Sequence, residues 1–352
     1  MKRIVAIILI LPLIFASCGK EQTPEYKTES YRYERLDEEK RHLYDIFAAA
    51  LAQHEDVVRV KGCSYEDVKA VITLIMQYDE RFFYVNSRFS FTEEENSSAV
   101  RFDYLYDRQT TERMQEEICR ETASVLAGGK DLSPPLRVMY IHDELIKRIS
   151  YGSGENETDI YGALVRHTAT CQGYSKAFVY VCRAAGIEAL TVSGDADGPH
   201  MWDMVMIEGE YYHIDLVFDE TDSLGFIRYD YYGLDDEEIC RYRRIEDDVP
   251  AAAGQEFNYF DSCGLCVTSY EEAEELLIRK LAPDDHIARM RADDNYDEIV
   301  STLFGDGVSG GTIEDIADMC ISGEHDIQYT LNDEHHIITV HLGPAEETEG
   351  EE

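Results

Sequence analysis

Basic residues are scarce in this chain of 352 residues, which has 32 Lys and Arg against 72 Asp and Glu. The formal net charge at pH 7 is −40. Non-specific nucleic-acid binding needs a basic face against the phosphates, and attraction to an anionic lipid surface by charge needs one as well. The composition therefore excludes nucleic acid as an expected partner and favours a cationic or neutral one, or simply high solubility.

Long apolar runs and internal repeats are also lacking. The run Ile4–Phe15 has no polar side chain but is only twelve residues long, whereas a permanent membrane helix needs about 20 residues. Apolar residues make up 44% of the chain, and 24 Tyr and 13 Phe are spread along it. Such a chain can bury a sizeable core, so wholesale disorder is excluded. At roughly 100–200 residues per domain, the length indicates about two domains.

The first residues have the three parts of a bacterial export signal: a basic start, an apolar stretch and a small-residue ending. The ending Ala16-Ser-Cys18-Gly resembles a bacterial lipoprotein cleavage box, and the resemblance implies that Cys18 becomes the lipid-bearing first residue. We therefore expect residues 1–18 to be a lipoprotein signal peptide and residues 19–35 a polar tether. The expected location is the outer face of a bacterial cell membrane, with a lipid anchor at Cys18.

Cysteines form no dense, regular framework. Setting Cys18 aside leaves eight, at positions 63, 119, 171, 182, 240, 263, 266 and 320. A chain of this size does not need a disulfide scaffold, so each cysteine is judged by its surroundings. Cys263 and Cys266 form a single CxxC without the second pair that a structural zinc requires. A redox pair remains open, but two unrelated or simply bridged cysteines are the favoured interpretation.

Hydrophobic periodicity predicts a central core with an α/β region on either side. The predicted divisions are residues 36–130, 131–249 and 250–343, followed by an acidic, disordered tail at 344–352. Helices are predicted at 65–78, 110–127, 136–149, 270–281 and 312–320. Strands are predicted at 82–85, 88–91, 100–106, 326–331 and 336–342.

The central region predicts a helix that feeds an antiparallel sheet. Thr170 can cap a helix that opens at Cys171, and Gly186 ends it. Strands follow at 188–192, 200–208 and 211–218. A helix followed by an antiparallel sheet is an α+β arrangement.

Three polar side chains in this region have the chemistry of a nucleophilic site. Cys171 falls in the first helical turn, where the free N–H groups and the helix dipole favour a thiolate. His200 begins one strand, and Asp215 is predicted to be central on the next. A helix-start thiolate, an imidazole and a carboxylate are the parts of a Cys-His-Asp site.

Several ordered motifs across residues 136–245 resemble the transglutaminase-like superfamily, in its bacterial, protease-like branch. They are Ile141–Tyr151, Tyr161-Gly-Ala-Leu164, Thr170–Phe178, Ala185-Gly-Ile187, Val192-Ser-Gly194, His200-Met-Trp202, Tyr212–Asp219 and Tyr229–Glu238. The resemblance implies a papain-like α+β core, in which a helix carrying the cysteine packs on an antiparallel sheet. It also implies Cys171 as nucleophile, His200 as base and Asp215 as the residue that orients the base.

The chain departs from the family pattern at two places. Asp203 stands where the family usually has Asn, and it puts an expected charge near the histidine. Phe218 stands where the family usually has Trp, so an indole N–H is lost. His213 is a rival for the base and Asp219 a rival for the carboxylate, but family position favours His200 and Asp215.

Supporting roles are assigned to three more residues. Tyr161 or Gln172 is expected to donate to the developing oxyanion beside the Cys171 N–H. Trp202, the only tryptophan, is expected to form a wall of the site, to fill the core, or both.

Two classes of function follow from the sequence. The favoured one is a surface-anchored thiol enzyme that attacks amide or peptide carbonyls and forms a thioester, with hydrolysis favoured over transfer to an amine. It needs no cofactor, and its substrate would be a protein or peptide. The alternative is a non-catalytic peptide- or protein-binding module on the same fold, whose surface would use five aromatic residues: Phe82, Phe83, Tyr84, Tyr104 and Tyr106.

Overall fold

The computed structural model describes residues 30–220, 226–282, 286–305, 311–321 and 325–344. The predicted signal peptide with Cys18, most of the tether and nearly all of the acidic tail lie outside the described residues. In this described part, no helix has both the length and the apolar character that a membrane crossing requires.

The first part of the chain packs helices against a small antiparallel sheet. The sheet order is β1-β3-β2, and an aliphatic and aromatic core that includes Phe47, Ile75 and Phe102 lies beneath it. Ser64 begins α3 with a capping box, because its side chain and that of Asp67 each accept from the other's backbone N–H. The bounds are α1 Ser30–Glu34, α2 Glu38–Ala52, β1 Val57–Val60, α3 Tyr65–Tyr78, β2 Val85–Glu93 and β3 Ser98–Tyr104.

The central part surrounds one buried helix with helices on one side and a five-stranded antiparallel sheet on the other. The sheet order is β10-β6-β7-β8-β9. The first elements are α4 Arg108–Leu126, α5 Pro134–Arg148, β4 Ser150–Tyr151, α6 Ile160–Leu164, β5 Thr168–Ala169 and α7 Cys171–Ala184. The sheet and its connections are β6 Ala189–Asp195, β7 Pro199–Ile207, β8 Glu210–Ile214, α8 Leu216–Asp219, β9 Tyr232–Leu234, α9 Asp236–Ile239 and β10 Arg244–Ile245.

The last part has its own apolar core between helices and a sheet of order β11-β13-β12. Leu277, Met290 and Ile338 are fully buried there. The bounds are α10 Tyr259–Ser262, α11 Tyr270–Leu281, β11 Ile287–Arg291, α12 Tyr296–Phe304, α13 Ile313–Cys320, β12 His325–Asn332 and β13 Ile337–Pro344. The predicted helices and strands of this part are present, but α10, β11 and α12 were not predicted.

The α+β class predicted from the sequence is confirmed, because helices and separate antiparallel sheets share the chain. Two local predictions are wrong. Glu80–Phe82 is a single 3-10 turn, where a strand was expected from residue 82. The predicted strand 211–218 ends at Ile214, and its remainder turns into α8.

The aromatic residues assigned to a binding surface in the alternative function mostly face inwards. Phe82 and Tyr84 are 6% and 2% exposed and belong to the first core. Phe83, Tyr104 and Tyr106 are partly buried and pack against the same core. Of the five residues, only Phe83, Tyr104 and Tyr106 are thus partly available to a partner.

Candidate active site

Cys171 is the first residue of α7, as the sequence predicts, and it is partly exposed. Thr170 occupies the position before the helix, but its side chain makes no cap hydrogen bond. Its hydroxyl donates instead to the Glu157 carbonyl at 3.2 Å, and its N–H donates to the same oxygen at 2.9 Å. The loop before α6 therefore anchors the start of the helix that carries the thiol.

Gly173 is needed for this anchoring because the backbone of the loop approaches α7 closely. A side-chain carbon at position 173 would run into the Glu157 carbonyl oxygen and crowd the Ala169 side chain. Only a residue without a Cβ lets the loop and the first turn of α7 meet here.

The surroundings of Cys171 favour its thiolate. Burial alone would raise the pKa of the thiol, but a hydrogen bond with His200 and the charge of His200 outweigh burial. Hydrogen bonds from the backbone N–H groups of Met201 and Gln172 act in the same direction. The net effect is a lowered pKa for Cys171, which is the direction expected at a helix start beside an imidazolium.

His200 lies near the start of β7, with only 9% of its side chain exposed. Its Nε2 lies 2.8 Å from Asp215 Oδ2. Because a carboxylate only accepts, Nε2 carries the hydrogen of this bond. The nitrogen left for Cys171 is Nδ1.

Electrostatics keeps His200 protonated and Asp215 ionised. Burial would lower the pKa of His200, but hydrogen bonds to Asp215 and Cys171 and their charges raise it to about 9. Burial would raise the pKa of Asp215, yet the hydrogen bond and charge of His200 and the charge of Arg243 hold it below its usual value. The structure thus brings the three predicted residues into one hydrogen-bonded line of Cys171, His200 and Asp215.

Asp215 is not central on a strand, as predicted, but lies directly after β8. It begins the short helix α8, where its Oδ1 accepts the Phe218 N–H at 3.3 Å. The helix starts here because an aspartate in extended conformation caps free N–H groups. One carboxylate oxygen is therefore fixed by the backbone while the other holds His200.

Trp202 is fully buried beneath His200, with the ring centroids 6.2 Å apart and the planes 16° apart. Its indole Nε1–H donates to His213 Nδ1 at 3.0 Å, and His213 Nε2 lies 2.9 Å from Asp236 Oδ1. His213 is itself fully buried. Both of its ring nitrogens are occupied, so this rival for the base supports the indole instead.

Asp219, the rival carboxylate, is engaged elsewhere. Its Oδ2 lies 3.1 Å from His142 Nε2, and its Oδ1 accepts the Tyr231 N–H at 2.8 Å. His142 is fully buried and faces Asp143 at 3.0 Å through its other nitrogen. His142 lies within the family-like segment Ile141–Tyr151, but no role was predicted for it, because its partner Asp219 comes from a distant part of the chain.

Asp203 was expected to place a charge near His200, and its surroundings in the structure disfavour that charge. The residue is 1% exposed in the centre of the sheet, between Thr191 and Ile214. Burial raises the pKa of its carboxyl well above the usual range, and the charge of Asp215 raises it further. This direction favours the neutral carboxyl, which resembles the neutral Asn side chain usual in the family.

The supporting residues Tyr161 and Gln172 differ in their placement. The Tyr161 hydroxyl donates to Glu117 Oε2 at 2.6 Å, and its ring stacks on Phe83. Its one hydroxyl hydrogen is thus committed to a carboxylate, which weighs against the expected role at the oxyanion. Gln172 is partly exposed in the first turn of α7 and supplies its backbone N–H to the Cys171 thiol.

Two residues beside the line were not predicted. Arg243 Nη2 lies 2.9 Å from Asp215 Oδ2. Tyr151 is half exposed on β4, which pairs with β5 just before Cys171. Burial raises the pKa of the Tyr151 hydroxyl, and the charge of Cys171 raises it further. Arg243 lies in a loop outside the motifs, whereas Tyr151 ends the motif Ile141–Tyr151 but reaches the site only through the pairing of β4 with β5.

A family model described as the transglutaminase-like superfamily matches residues 121–216, which include Cys171, His200 and Asp215. Among solved structures, a TGase is 13% identical, with a TM-score of 0.29 over 48% of this chain and 53% of that chain. A candidate cysteine protease from Cytophaga hutchinsonii is 13% identical, with a TM-score of 0.25 over 37% and 61%.

The periplasmic domain of TgpA from Pseudomonas aeruginosa is 16% identical, with a TM-score of 0.22 over 35% of this chain and 54% of that chain. The match thus spans about half of each of these structures, and TM-scores this low assign no function. No curated protein matches the chain. Residues 121–216 of this chain are therefore similar to the transglutaminase-like superfamily.

Proposed function

We propose that this chain is a thiol enzyme that attacks amide or peptide carbonyls through Cys171, His200 and Asp215. The observation that carries the proposal is the hydrogen-bonded line in which His200 contacts the Cys171 thiol and lies 2.8 Å from Asp215 Oδ2. A thiolate at a helix start, paired with an imidazolium, is the activated form of a cysteine nucleophile.

The first half of the reaction forms a thioester. The Cys171 thiolate attacks the carbonyl carbon, and the electron pair moves to the carbonyl oxygen. N–H groups of the first turn of α7 have no partner within the helix and are the natural donors to that oxyanion. When the intermediate collapses, His200 gives its Nδ1 proton to the leaving amine.

The second half releases the acyl group. Neutral His200 takes a proton from water, the resulting hydroxide attacks the thioester, and Cys171 leaves as a thiolate. A primary amine in place of water would give a new amide. Cys171 is partly exposed, so water has access to the thioester, and this exposure favours hydrolysis.

An activated ester tests the proposal before any natural substrate is known. With 4-nitrophenyl acetate we expect a burst of nitrophenolate, acetyl on the Cys171 peptide by mass spectrometry, and then slow turnover. Cys171→Ala abolishes the burst and His200→Ala weakens it, whereas Cys263→Ala, which removes an exposed thiol elsewhere, leaves it unchanged. Acetylation of Cys171 no faster than that of Cys263 would rule out a poised nucleophile.

Added primary amine then distinguishes hydrolysis of the thioester from transfer of the acyl group to an amine. If the acetyl group passes mainly to water at millimolar amine, the enzyme is a hydrolase. If the amine captures most of the acetyl group, the transfer reaction replaces hydrolysis in the proposal. The natural substrate in either case is a protein or peptide.

We also infer that the protein acts outside the cytoplasm, anchored through a lipid on Cys18. The support is the export pattern of residues 1–18. Metabolic labelling with a radioactive fatty acid tests it, because Cys18→Ala should lose the label and leave the membrane fraction. Equal labelling of both proteins would contradict the anchor.

A further inference from the structure

Arg243 lies at the buried end of the line formed by Cys171, His200 and Asp215. Its Nη2 is 2.9 Å from Asp215 Oδ2, the same oxygen that accepts from His200 Nε2 at 2.8 Å. The side chain of Arg243 is 2% exposed and that of Asp215 is fully buried. One carboxylate oxygen therefore serves two cationic partners.

Aromatic rings hold the guanidinium in place. Its central carbon lies 4.0 Å from the centroid of Phe218, 4.5 Å from that of Tyr231 and 5.9 Å from that of Trp202. Within the described part of the chain, neither Nη2 nor Nε of Arg243 makes an aligned hydrogen bond. The contact with Asp215 is thus an interaction of charges more than a directed hydrogen bond.

A second cation at Asp215 matters when His200 changes its charge. In the resting state the carboxylate faces an imidazolium. Once His200 has given its proton to a leaving group, the ring is neutral, and without Arg243 the fully buried carboxylate would have no cation. An uncompensated buried charge is strongly unfavourable, so Asp215 would resist the loss of the His200 proton.

We propose that Arg243 is a positioning residue that acts through Asp215, keeping this carboxylate ionised throughout the cycle and thereby allowing His200 to release its proton. The proposal rests on the proposed function, because it assigns His200 the role of general acid. It also explains why a residue outside the matched segment 121–216 is buried against the site.

Other ionisable groups also interact with this cluster, and the experiment must hold them constant. Asp203 and Asp219 interact with Asp215, and His335 and Tyr231 interact with Arg243. Cys171 faces His200 from α7. None of these residues is altered in the variants below.

The test follows the ring signals of His200 by NMR on the full chain with labelled histidine, the signals being identified by their loss in His200→Ala. In wild type we expect a protonation midpoint near pH 9. In Arg243→Gln the midpoint should rise by about one pH unit, because the repulsion of a nearby cation is gone. If Arg243→Gln does not fold, Arg243→Met takes its place in the experiment. Its apolar side chain packs among the same rings, and the expected shift is the same.

Two variants separate charge from structure. Arg243→Lys keeps a cation and should hold the midpoint close to the wild-type value. Arg241→Gln removes the same charge two residues away, where the side chain is half exposed and pairs with Glu237, and should also leave the midpoint in place. An unchanged or lowered midpoint in both Arg243→Gln and Arg243→Met would overturn the proposal.

Failure of this inference is distinguishable from failure of the proposed function. If Cys171 of the wild-type protein is acetylated but the His200 midpoint does not move in the Arg243 variants, only the role of Arg243 is ruled out. If Cys171 of the wild-type protein is not acetylated, the proposed thiol-enzyme function is ruled out, whatever the protonation midpoint of His200.

Discussion

His200 presents Nε2 to Asp215 at 2.8 Å, which leaves only Nδ1 for Cys171. The orientation of the His200 ring is fixed by Asp215 and by Trp202. Asp215 cannot turn without losing the Phe218 N–H that its other oxygen accepts, and the His200 ring lies over buried Trp202. The backbone at the start of α8 therefore determines which ring nitrogen meets the thiol.

The His200 pairing should make stability depend on pH in one direction. The pKa of His200 is raised from 6.5 to about 9 in the folded protein. Its contribution to stability is therefore fully present below about pH 6.5 and is lost as the pH rises through about 9. We expect His200→Ala to lower the free energy of unfolding by more at pH 6 than at pH 10.

Urea unfolding at the two pH values measures this difference. The control is His42→Ala, at an exposed position on α2. It should lower the free energy of unfolding by the same small amount at both pH values. A loss for His200→Ala that is equal at pH 6 and pH 10 would show that its ring is not held as an imidazolium.

Tyr161→Phe distinguishes the sequence expectation from the observed geometry. The hydroxyl donates to Glu117, so its removal should cost about 1 kcal/mol of stability and leave the rate of Cys171 acetylation within about twofold of wild type. A residue that stabilised the oxyanion would instead cost about a hundredfold or more in rate. Acetylation kinetics with 4-nitrophenyl acetate decide between the two.

The chain's single tryptophan offers a direct optical probe of the support beneath His200. His213→Ala leaves the buried Trp202 N–H without its acceptor, which should cost about 1–3 kcal/mol and change the fluorescence emission. In His213→Asn the amide oxygen can take the place of Nδ1 as the acceptor. This variant should therefore recover part of the lost stability and part of the wild-type emission. Emission and unfolding free energy identical to wild type in His213→Ala would show that this hydrogen bond does not hold the indole.

Glu80 connects the first part of the chain to the helix that carries Cys171. Its carboxylate lies 2.8 Å from Arg183 Nη1 on α7, with the two side chains 0% and 3% exposed. Glu80→Gln should lower the free energy of unfolding by about 3 kcal/mol, because the buried guanidinium loses the charge of its partner at 2.8 Å.

The matched control for that variant is Glu112→Gln, which breaks the exposed pair with Arg108. Exposed pairs are worth little, so this change should cost less than about 1 kcal/mol. Thermal or urea unfolding compares the two. Equal losses would mean that the Glu80–Arg183 pair contributes no more than a surface one.

The local features of the site could be predicted because short-range rules govern them. The start of α7 at Cys171 follows from helix periodicity, and the pairing of β6 with β7 follows from two apolar strands separated by a Gly-rich turn. These elements bring His200 towards the thiol without any information from the rest of the chain.

Other features depend on tertiary contacts that no sequence window contains. Asp215 leaves the strand because its carboxylate caps α8, and the preceding alternation of residues gives no sign of that turn. Arg243 reaches Asp215 from a separate loop, and the raised pKa of Asp203 arises only from its burial in the sheet. Tyr161 was assigned by its motif, whereas its partner Glu117 lies on a different helix.

The central claim is a thiolate at Cys171 that depends on His200. The most direct measurement is the pH dependence of iodoacetamide alkylation at Cys171, followed peptide by peptide by mass spectrometry in wild type and His200→Ala. The lowered pKa of Cys171 predicts faster alkylation than at exposed Cys263 at neutral pH, and a loss of rate at that pH in His200→Ala. Alkylation of Cys171 no faster than that of Cys263 and unaffected by His200→Ala would contradict the claim, and would favour a binding module on the same fold.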